Sequence, residues 1–229
     1  MKKTNRNVKI LAIETAADAC SAALFIDNEI IERYEVAPQQ HTKLILPMVQ
    51  SLLAEAGIKL TQLDAIGFGQ GPGSFTGLRI AASVTQGLAL GADLPVIGIS
   101  TLRALAQGAV TDFKATKALS IIDARIQEIY FGMYSLVGGI MNKIMEDTLC
   151  NPKDVPIPDN CGWFGIGNGW KIYFDILNDA LKNNVVEINF DYYPRAREVA
   201  KLAYHEFLDG NITPVEKASP VYLRNKVVG

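Results

Sequence analysis

The chain has 229 residues, of which 49% are hydrophobic and 20% are charged, proportions that are ordinary for a globular protein. Its formal net charge of −2 at pH 7 provides no overall positive field, which argues against independent binding to nucleic acid or to an anionic membrane. No stretch of the sequence approaches the roughly 20 apolar residues of a membrane-spanning helix.

The basic start of the chain is similar to the positive flank of a signal peptide. The apolar run 8–13 is soon interrupted by Glu14 and Asp18, however, and no small-residue cleavage site follows. We therefore interpret the run as a first β-strand. The three cysteines lack ligand spacing, which is typical of buried thiols in a reducing compartment. We expect a cytoplasmic protein.

Three strands are predicted first, at 8–13, 20–26 and 30–36, with a hairpin turn at Asp27-Asn28 because these residues tolerate positive φ. A helix over 41–56 follows, since apolar pairs recur four residues apart and Gly57 is a stop signal. Pro47 lies inside this helix and should bend it.

A strand at 65–68, a glycine-rich segment and a helix to about residue 90 come next, followed by a strand at 95–99 and a helix capped by Ser100. The second half restarts with strands at 118–123 and 126–134. Less regular strands and a proline-rich loop precede a strand at 162–166, a turn at 167–169 and helices at 170–181 and 195–208. The order predicts an α/β protein of two lobes, at 1–108 and 109–229, with the helix 195–209 packing back on the first lobe.

The segment Gly69–Gly77 can form a tight turn between strand and helix. Pro72-Gly73 fits the centre of a type II turn, and Ser74 or Thr76 can cap the helix, with free N–H groups that attract an anion. The P-loop ending Gly-Lys-Ser/Thr and the third glycine of a dinucleotide fingerprint are absent. Two readings stay open at this stage: a close-packed turn or partner contact, and a phosphate cradle.

The helices 41–56 and 76–90 carry more apolar surface than a small sheet needs. The second helix has several small residues, among them Gly87. Glycine destabilises a helix by up to ~1 kcal/mol relative to alanine, so its presence suggests that a neighbouring backbone approaches closely. Packing on the chain's own sheet is the simpler explanation, and a docking surface for another protein is the alternative. The candidate interface residues are His41, Leu44, Ile45, Met48, Val49, Leu52, Gly77, Arg79, Ala81, Val84 and Leu88.

Several strings of residues resemble one known family. They are Ile10-Leu-Ala-Ile-Glu-Thr15, Gly71-Pro-Gly-Ser-Phe-Thr-Gly-Leu-Arg79, Asp123-Ala-Arg125 with Glu128 and Tyr130, and Pro220-Val-Tyr-Leu-Arg224. They follow the order of the TsaB (YeaZ) family and cover nearly the whole chain, and the second string is specific. The resemblance implies an actin-like ATPase fold (the ASKHA superfamily of sugar kinases and Hsp70), with each lobe built in βββαβαβα order.

The resemblance also implies a role without catalysis. TsaB-like proteins are partners of the paralogous catalytic TsaD in making threonylcarbamoyl-adenosine at position 37 of tRNAs that read codons starting with A, and the ATPase TsaE completes the assembly. From the apolar faces of the helices 41–56 and 76–90 we expect a homodimer when the protein is alone, and from the net charge we expect contact with tRNA only through its partners.

TsaD-like proteins carry a metal-binding His-x-x-x-His after the strand that corresponds to 95–99. Thr101 and Leu105 stand at these positions here, and neither is a good ligand for a transition metal. The two histidines, His41 and His205, have no His or Cys neighbour at ligand spacing. We expect no bound metal and no catalytic residue.

The nucleotide machinery of the superfamily is eroded as well. Glu14 stands where the first phosphate loop usually has aspartate, and Asp123 is followed by Ala124-Arg125 rather than two glycines. The candidate nucleotide or phosphate residues are Glu14, Thr15, Gly71, Gly73, Ser74 and Asp123. We expect no cofactor in the free protein, while ATP or ADP shared at a partner interface stays open.

Two rival functions remain. An actin-fold ATPase or kinase acting alone would have to use Glu14 and Asp123, although Arg125 could simply pair with Asp123 or Glu128. A peptidase is suggested by the old glycoprotease label of TsaD relatives, but the sequence shows no zinc motif, Ser-His-Asp set or activated cysteine.

Overall fold

The computed structural model describes residues 7–224. The basic N-terminal stretch that was weighed as a signal-peptide flank lies almost entirely outside these residues. None of the helices within them is long and apolar enough to cross a membrane.

The predicted elements follow one another in the predicted order with small shifts in their ends, except that the helix expected over 170–181 is divided in two and a strand at 185–189 is added. The first half contains β1 (Ile10–Glu14), β2 (Ala19–Ile26), β3 (Glu29–Val36), α1 (His41–Glu55), β4 (Ala65–Gly71), α2 (Phe75–Ala92), β5 (Val96–Ser100) and α3 (Thr101–Phe113). The second half contains β6 (Lys117–Arg125), β7 (Glu128–Val137), β8 (Ile140–Lys143), β9 (Thr148–Cys150), β10 (Trp163–Ile166), α4 (Gly169–Ile172), α5 (Phe174–Leu181), β11 (Val185–Asn189) and α6 (Ala196–Leu208).

The chain forms two compact units, each around its own sheet. Among the described residues, the first unit holds 7–70, 75–99 and 195–220, and the second holds 71–74, 100–194 and 221–224. The division therefore falls at Ser100 rather than at residue 108, because α3 packs on the second sheet. Helix α6 packs against β1 and β2 of the first sheet.

The first sheet has the strand order β3-β2-β1-β4-β5. Strand β1 is antiparallel to β2 and parallel to β4, and its residues are buried throughout. Leu11 and Ile13 join the core beneath α1 and α2, whereas on the other side Gly67 of β4 lets α6 approach. An added Cβ at Gly67 would lie only 2.8 Å from the Cβ of Ala203.

The second sheet repeats this order as β8-β7-β6-β10-β11, with β9 added beside β7. Strand β6 is again antiparallel to its hairpin partner and parallel to the next strand. One side packs against α3 and the other against α4 and α5, around Trp163 and Trp170. The fold is therefore the actin-like α/β fold that the sequence predicts. In the second unit β9 and a short turn stand between β8 and β10, where the first unit has α1.

Candidate functional site

The carboxylate predicted to line the first phosphate loop is enclosed within the first unit. Glu14 is fully buried at the end of β1, and its Oε1 accepts the N–H of Ala16 at 2.7 Å. The carboxylate lies directly over Gly69 of β4, where an added Cβ would be 2.0 Å from Oε2. Glu14 thus has a structural contact in the sheet, which explains why position 69 is glycine.

The neighbouring threonine is engaged by helix α2. The hydroxyl of Thr15 donates to the carbonyl of Gly77 at 2.7 Å, and an added Cβ at Gly77 would lie 2.0 Å from the backbone oxygen of Thr15. Gly77 therefore allows the first turn of α2 to pack on the end of β1. Gly77 is buried against its own chain, and its contact with a partner stays a prediction.

The turn before α2 differs from the predicted type II turn. The positive φ of 112° belongs to Gly71, and Gly73 is not among the residues with positive φ. Because a type II turn centred on Pro72-Gly73 needs positive φ at Gly73, that prediction is wrong. Helix α2 begins at Phe75, so Ser74 directly precedes it and Thr76 lies inside its first turn.

The second candidate carboxylate, Asp123, lies in the second unit at the end of β6. Its Oδ1 accepts the N–H of Arg125 at 3.0 Å and the hydroxyl of Tyr173 at 3.2 Å, and its Oδ2 is 3.3 Å from Nη1 of Arg125. Its own N–H donates to Oδ1 of Asn168 at 3.1 Å. The pairing of Arg125 with Asp123 is confirmed, and the carboxylate organises a turn.

The residues at the metal positions of TsaD-like proteins are buried in α3. Thr101 and Leu105 are each fully buried, and neither side chain has a strong metal-ligand atom. His41 is also buried, and its Nε2–H donates to the carbonyl of Ala17 at 2.8 Å. Across residues 7–224, no group of three or more His, Cys, Asp or Glu is arranged to hold a metal ion.

Neither Cys20 nor Cys150, the two cysteines whose pKa is shifted, is an activated nucleophile. Burial raises the pKa of Cys20 to about 11 and that of Cys150 to about 11. At neutral pH both are thiols rather than thiolates, and the thiolate is the reactive form.

Most of the predicted interface residues on α1 and α2 face the core. The buried ones are His41, Ile45, Met48, Val49, Leu52, Gly77 and Ala81. The partly buried ones, Leu44, Val84 and Leu88, pack against the same cluster. The periodic apolar stripe marks the side of each helix that covers the chain's own sheet, and contact of the buried set with a partner stays a prediction. Arg79 is exposed.

An exposed apolar groove does lie between these helices, and we call it the α1–α2 groove. It has a volume of about 410 Å³ and is lined by Thr42, Ile45, Leu46, Phe75, Thr76, Arg79, Ile80, Ser83 and Val84. Leu46 is 44% exposed and Phe75 is 49% exposed. The guanidinium of Arg79 lies 3.8 Å from the centroid of the Phe75 ring, which holds that ring in place.

Leu46 and Phe75 are surface residues that were not predicted from the sequence. A signal was available for Leu46, because it stands outside the pairs spaced four apart that define the core side of α1. Phe75 lies at the first position of α2, and its orientation depends on where that helix begins.

Comparison with known proteins agrees with this architecture. The family model described as "TsaD: tRNA N6-adenosine threonylcarbamoyltransferase" matches residues 26–227. The tRNA threonylcarbamoyladenosine biosynthesis protein TsaB of Escherichia coli (strain K12) is 40% identical, over 96% of each chain. The protein of the same name from Haemophilus influenzae is 38% identical over 97% of this chain and 96% of its own.

A solved structure is similar over nearly the full length. YeaZ from Pseudomonas aeruginosa superposes with a TM-score of 0.89 at 39% identity, and the match covers 94% of this chain and 100% of that one. Shared sequence, shared length and shared fold lead to one assignment. The chain belongs to the TsaB (YeaZ) family.

Proposed function

We propose that this protein is the non-catalytic subunit of an assembly that makes threonylcarbamoyl-adenosine at position 37 of tRNAs reading codons that start with A. In this assembly it binds a TsaD-like catalytic subunit, and a TsaE-like ATPase completes the complex. The observation that carries the proposal is the match over nearly the full length to proteins named for tRNA threonylcarbamoyladenosine biosynthesis, at 40% and 38% identity.

The structure supports the absence of a catalytic group through the residues at the expected positions. Threonine and leucine replace the two metal-binding histidines of the TsaD-like sequence in α3. Glu14 and Asp123, the two carboxylates that an ATPase would need, are each held in local backbone and side-chain contacts. A subunit of this kind acts by stabilising the active conformation of its partner, which requires only preferential binding to that conformation.

The α1–α2 groove is the surface that we assign to the TsaD-like subunit. It combines exposed apolar side chains, Leu46 and Phe75, with a guanidinium held over the aromatic ring, and aromatic residues and arginine are enriched among the residues that dominate binding. In the absence of the partner, we expect the same groove to be covered by a second copy of this chain. ATP or ADP, if needed, binds at the interface in the complex.

Binding measured by calorimetry between the purified chain and the TsaD-like protein of the same organism tests this surface. Phe75→Ala removes the ring that Arg79 covers and is expected to weaken binding by about tenfold or more if the ring is central. Ile157→Ala is the control, because Ile157 is 62% exposed and lies in the second unit. Unchanged affinity of folded Phe75→Ala would remove the groove from the proposal, and no binding by the wild-type chain would refute the proposed function.

A further inference from the structure

The turn between β6 and β7 has a strained backbone. Arg125, Ile126 and Gln127 have φ values of 63°, 53° and 58°, in the left-handed region that disfavours side chains branched at Cβ. The β2–β3 turn of the same chain uses Asp27 and Asn28 at φ values of 54° and 64°, residue types that tolerate this region. An isoleucine in the same conformation is a true outlier, and such outliers are concentrated at functional sites.

The strained residue is also exposed. Ile126 is 65% exposed at the tip of the hairpin, so its side chain contributes little to the core of the second unit. Arg125 beside it has a side chain that is 85% exposed. The two-residue hairpin accounts for the positive φ of Ile126, but it does not account for a β-branched apolar residue at this position.

Contacts from three other places fix the turn. Asp123 accepts the N–H of Arg125, and Nδ2 of Asn151 donates to the carbonyl of Gln127 at 3.4 Å. From the C-terminal segment, Nη2 of Arg224 donates to the carbonyl of Ala124 at 3.1 Å, to that of Arg125 at 3.4 Å, and to the carboxylate of Glu128. The surrounding structure therefore holds the tip in shape before any partner binds.

The charges around the tip identify the class of partner. Arg125 is paired with Asp123, and Arg224 is paired with Glu128, so the formal charges of these four side chains cancel. Nucleic acid is bound through positive charge in excess. An exposed isoleucine beside a largely exposed guanidinium instead suits an apolar pocket of a protein with an acceptor group at its rim.

We propose that the hairpin tip, Arg125 to Gln127, is a second contact with the catalytic subunit, in which Ile126 enters an apolar pocket and Arg224 is the positioning residue that holds the tip. The inference rests on the proposed function. Nine residues line the α1–α2 groove, whereas one side of a standard interface uses about 20–30. The same partner therefore needs further contact area on this chain.

Ile126→Asn separates binding from folding, because asparagine tolerates the left-handed region. The variant is expected to unfold at a temperature about 2–4 °C higher, since the strain is relieved, and to bind the TsaD-like subunit about tenfold more weakly. Ile157→Asn is the matched control, an equally exposed isoleucine (62%) without positive φ, and should bind as the wild type does.

Arg224→Gln tests the positioning role by hydrogen exchange and by binding. We expect faster exchange of the amides of residues 124–128 and weaker binding, with partial recovery in Arg224→Lys, which keeps the charge but not the planar set of donors. Wild-type affinity in Ile126→Asn, while Phe75→Ala is impaired, would overturn this inference and leave the proposed function standing. A defect confined to binding of the ATPase would overturn the assignment to the catalytic subunit, and a defect confined to tRNA binding would overturn the choice of a protein.

Discussion

At the scale of single residues, two glycines of α2 have opposite surroundings. An added Cβ at Gly77 would lie 2.0 Å from a backbone oxygen, whereas one at Gly87 meets nothing within 4 Å. Within this chain, the close approach that the sequence suggested at Gly87 is found at Gly77 instead. Gly87 is simply a weak helix former at an exposed position.

The pair gives a direct prediction for stability. Gly77→Ala forces the start of α2 away from β1 and should cost about 1–3 kcal/mol or more. Gly87→Ala should stabilise the protein by about 0.5–1 kcal/mol, because alanine is the better helix former. Urea unfolding of both variants measures the difference. Similar effects of the two substitutions would show that the packing of α2 on β1 is looser than described.

A second residue-scale prediction concerns Asp147 in the second unit. Ser100 donates to Oδ2 at 2.5 Å and Tyr134 donates to Oδ1. Burial raises the pKa of Asp147 above 3.8, while these hydrogen bonds and Lys143 lower it and Glu146 raises it. Folding therefore favours the protonated carboxyl, so its contribution to stability is largest below the unfolded pKa and is lost as pH rises through the folded pKa.

The test compares the wild type with Asp147→Asn, which does not titrate. Between pH 4 and pH 7 the urea midpoint of the wild type should fall relative to that of the variant. If the urea midpoints of the two proteins change in parallel with pH, the raised pKa of Asp147 is contradicted, even if the midpoints differ by a constant amount.

At the scale of elements, α1 separates core residues from surface residues of the same type. Leu52 is fully buried, and Leu46 is 44% exposed. Leu52→Ala should lower the free energy of unfolding by about 2–5 kcal/mol, and Leu46→Ala should change it by less than about 0.5 kcal/mol. Thermal unfolding of both variants checks this, and a large loss in Leu46→Ala would place that residue in the core.

The elements that the sequence predicts well are those with strong local signals. The Asp27-Asn28 turn is found with both φ values positive, and the hydroxyl of Ser100 caps α3 by accepting the N–H of Arg103 at 3.3 Å. Strand β11 was not predicted, although Val185, Val186 and Ile188 are β-branched, because it lacks a strict alternation. The helix expected over 170–181 is divided at Tyr173. The break was not predicted because no glycine or proline lies within 170–181.

The candidate site was harder to predict than the fold. Apolar periodicity identifies the buried side of a helix, so it selected Ile45 and Leu52 in place of the exposed Leu46. The other contacts at the site join segments that are far apart in the sequence. The contact of Glu14 with Gly69 depends on the register of β1 beside β4, and that of Thr15 with Gly77 depends on how α2 packs at the end of β1. No local sequence pattern contains either.

At the scale of the whole molecule, the two sheets repeat one strand order with one helix missing from the second. The repeat of hairpin and helix was visible in the sequence, but the order of the strands within each sheet was not predicted from it. Glu14 at the end of β1 and Asp123 at the end of β6 make local structural contacts, and we propose that the chain keeps the architecture of an actin-like ATPase without its nucleotide site.

If Glu14 has only a structural role, its replacement should have a mild effect on tRNA modification. Glu14→Gln keeps the shape of the side chain and an oxygen able to accept the N–H of Ala16, so we expect a folded protein that supports most of the tRNA modification. Complete loss of modification by a folded Glu14→Gln protein that still binds its partner would show that Glu14 acts in a nucleotide site.

The central claim is that the protein is required for tRNA modification and contributes no catalytic group. The direct measurement is mass spectrometry of nucleosides from a reconstituted reaction with tRNA, ATP, the donor-forming enzyme and the TsaD-like and TsaE-like proteins, with and without this chain. We predict threonylcarbamoyl-adenosine when the chain is present and none when it is omitted. Full modification in its absence would contradict the account.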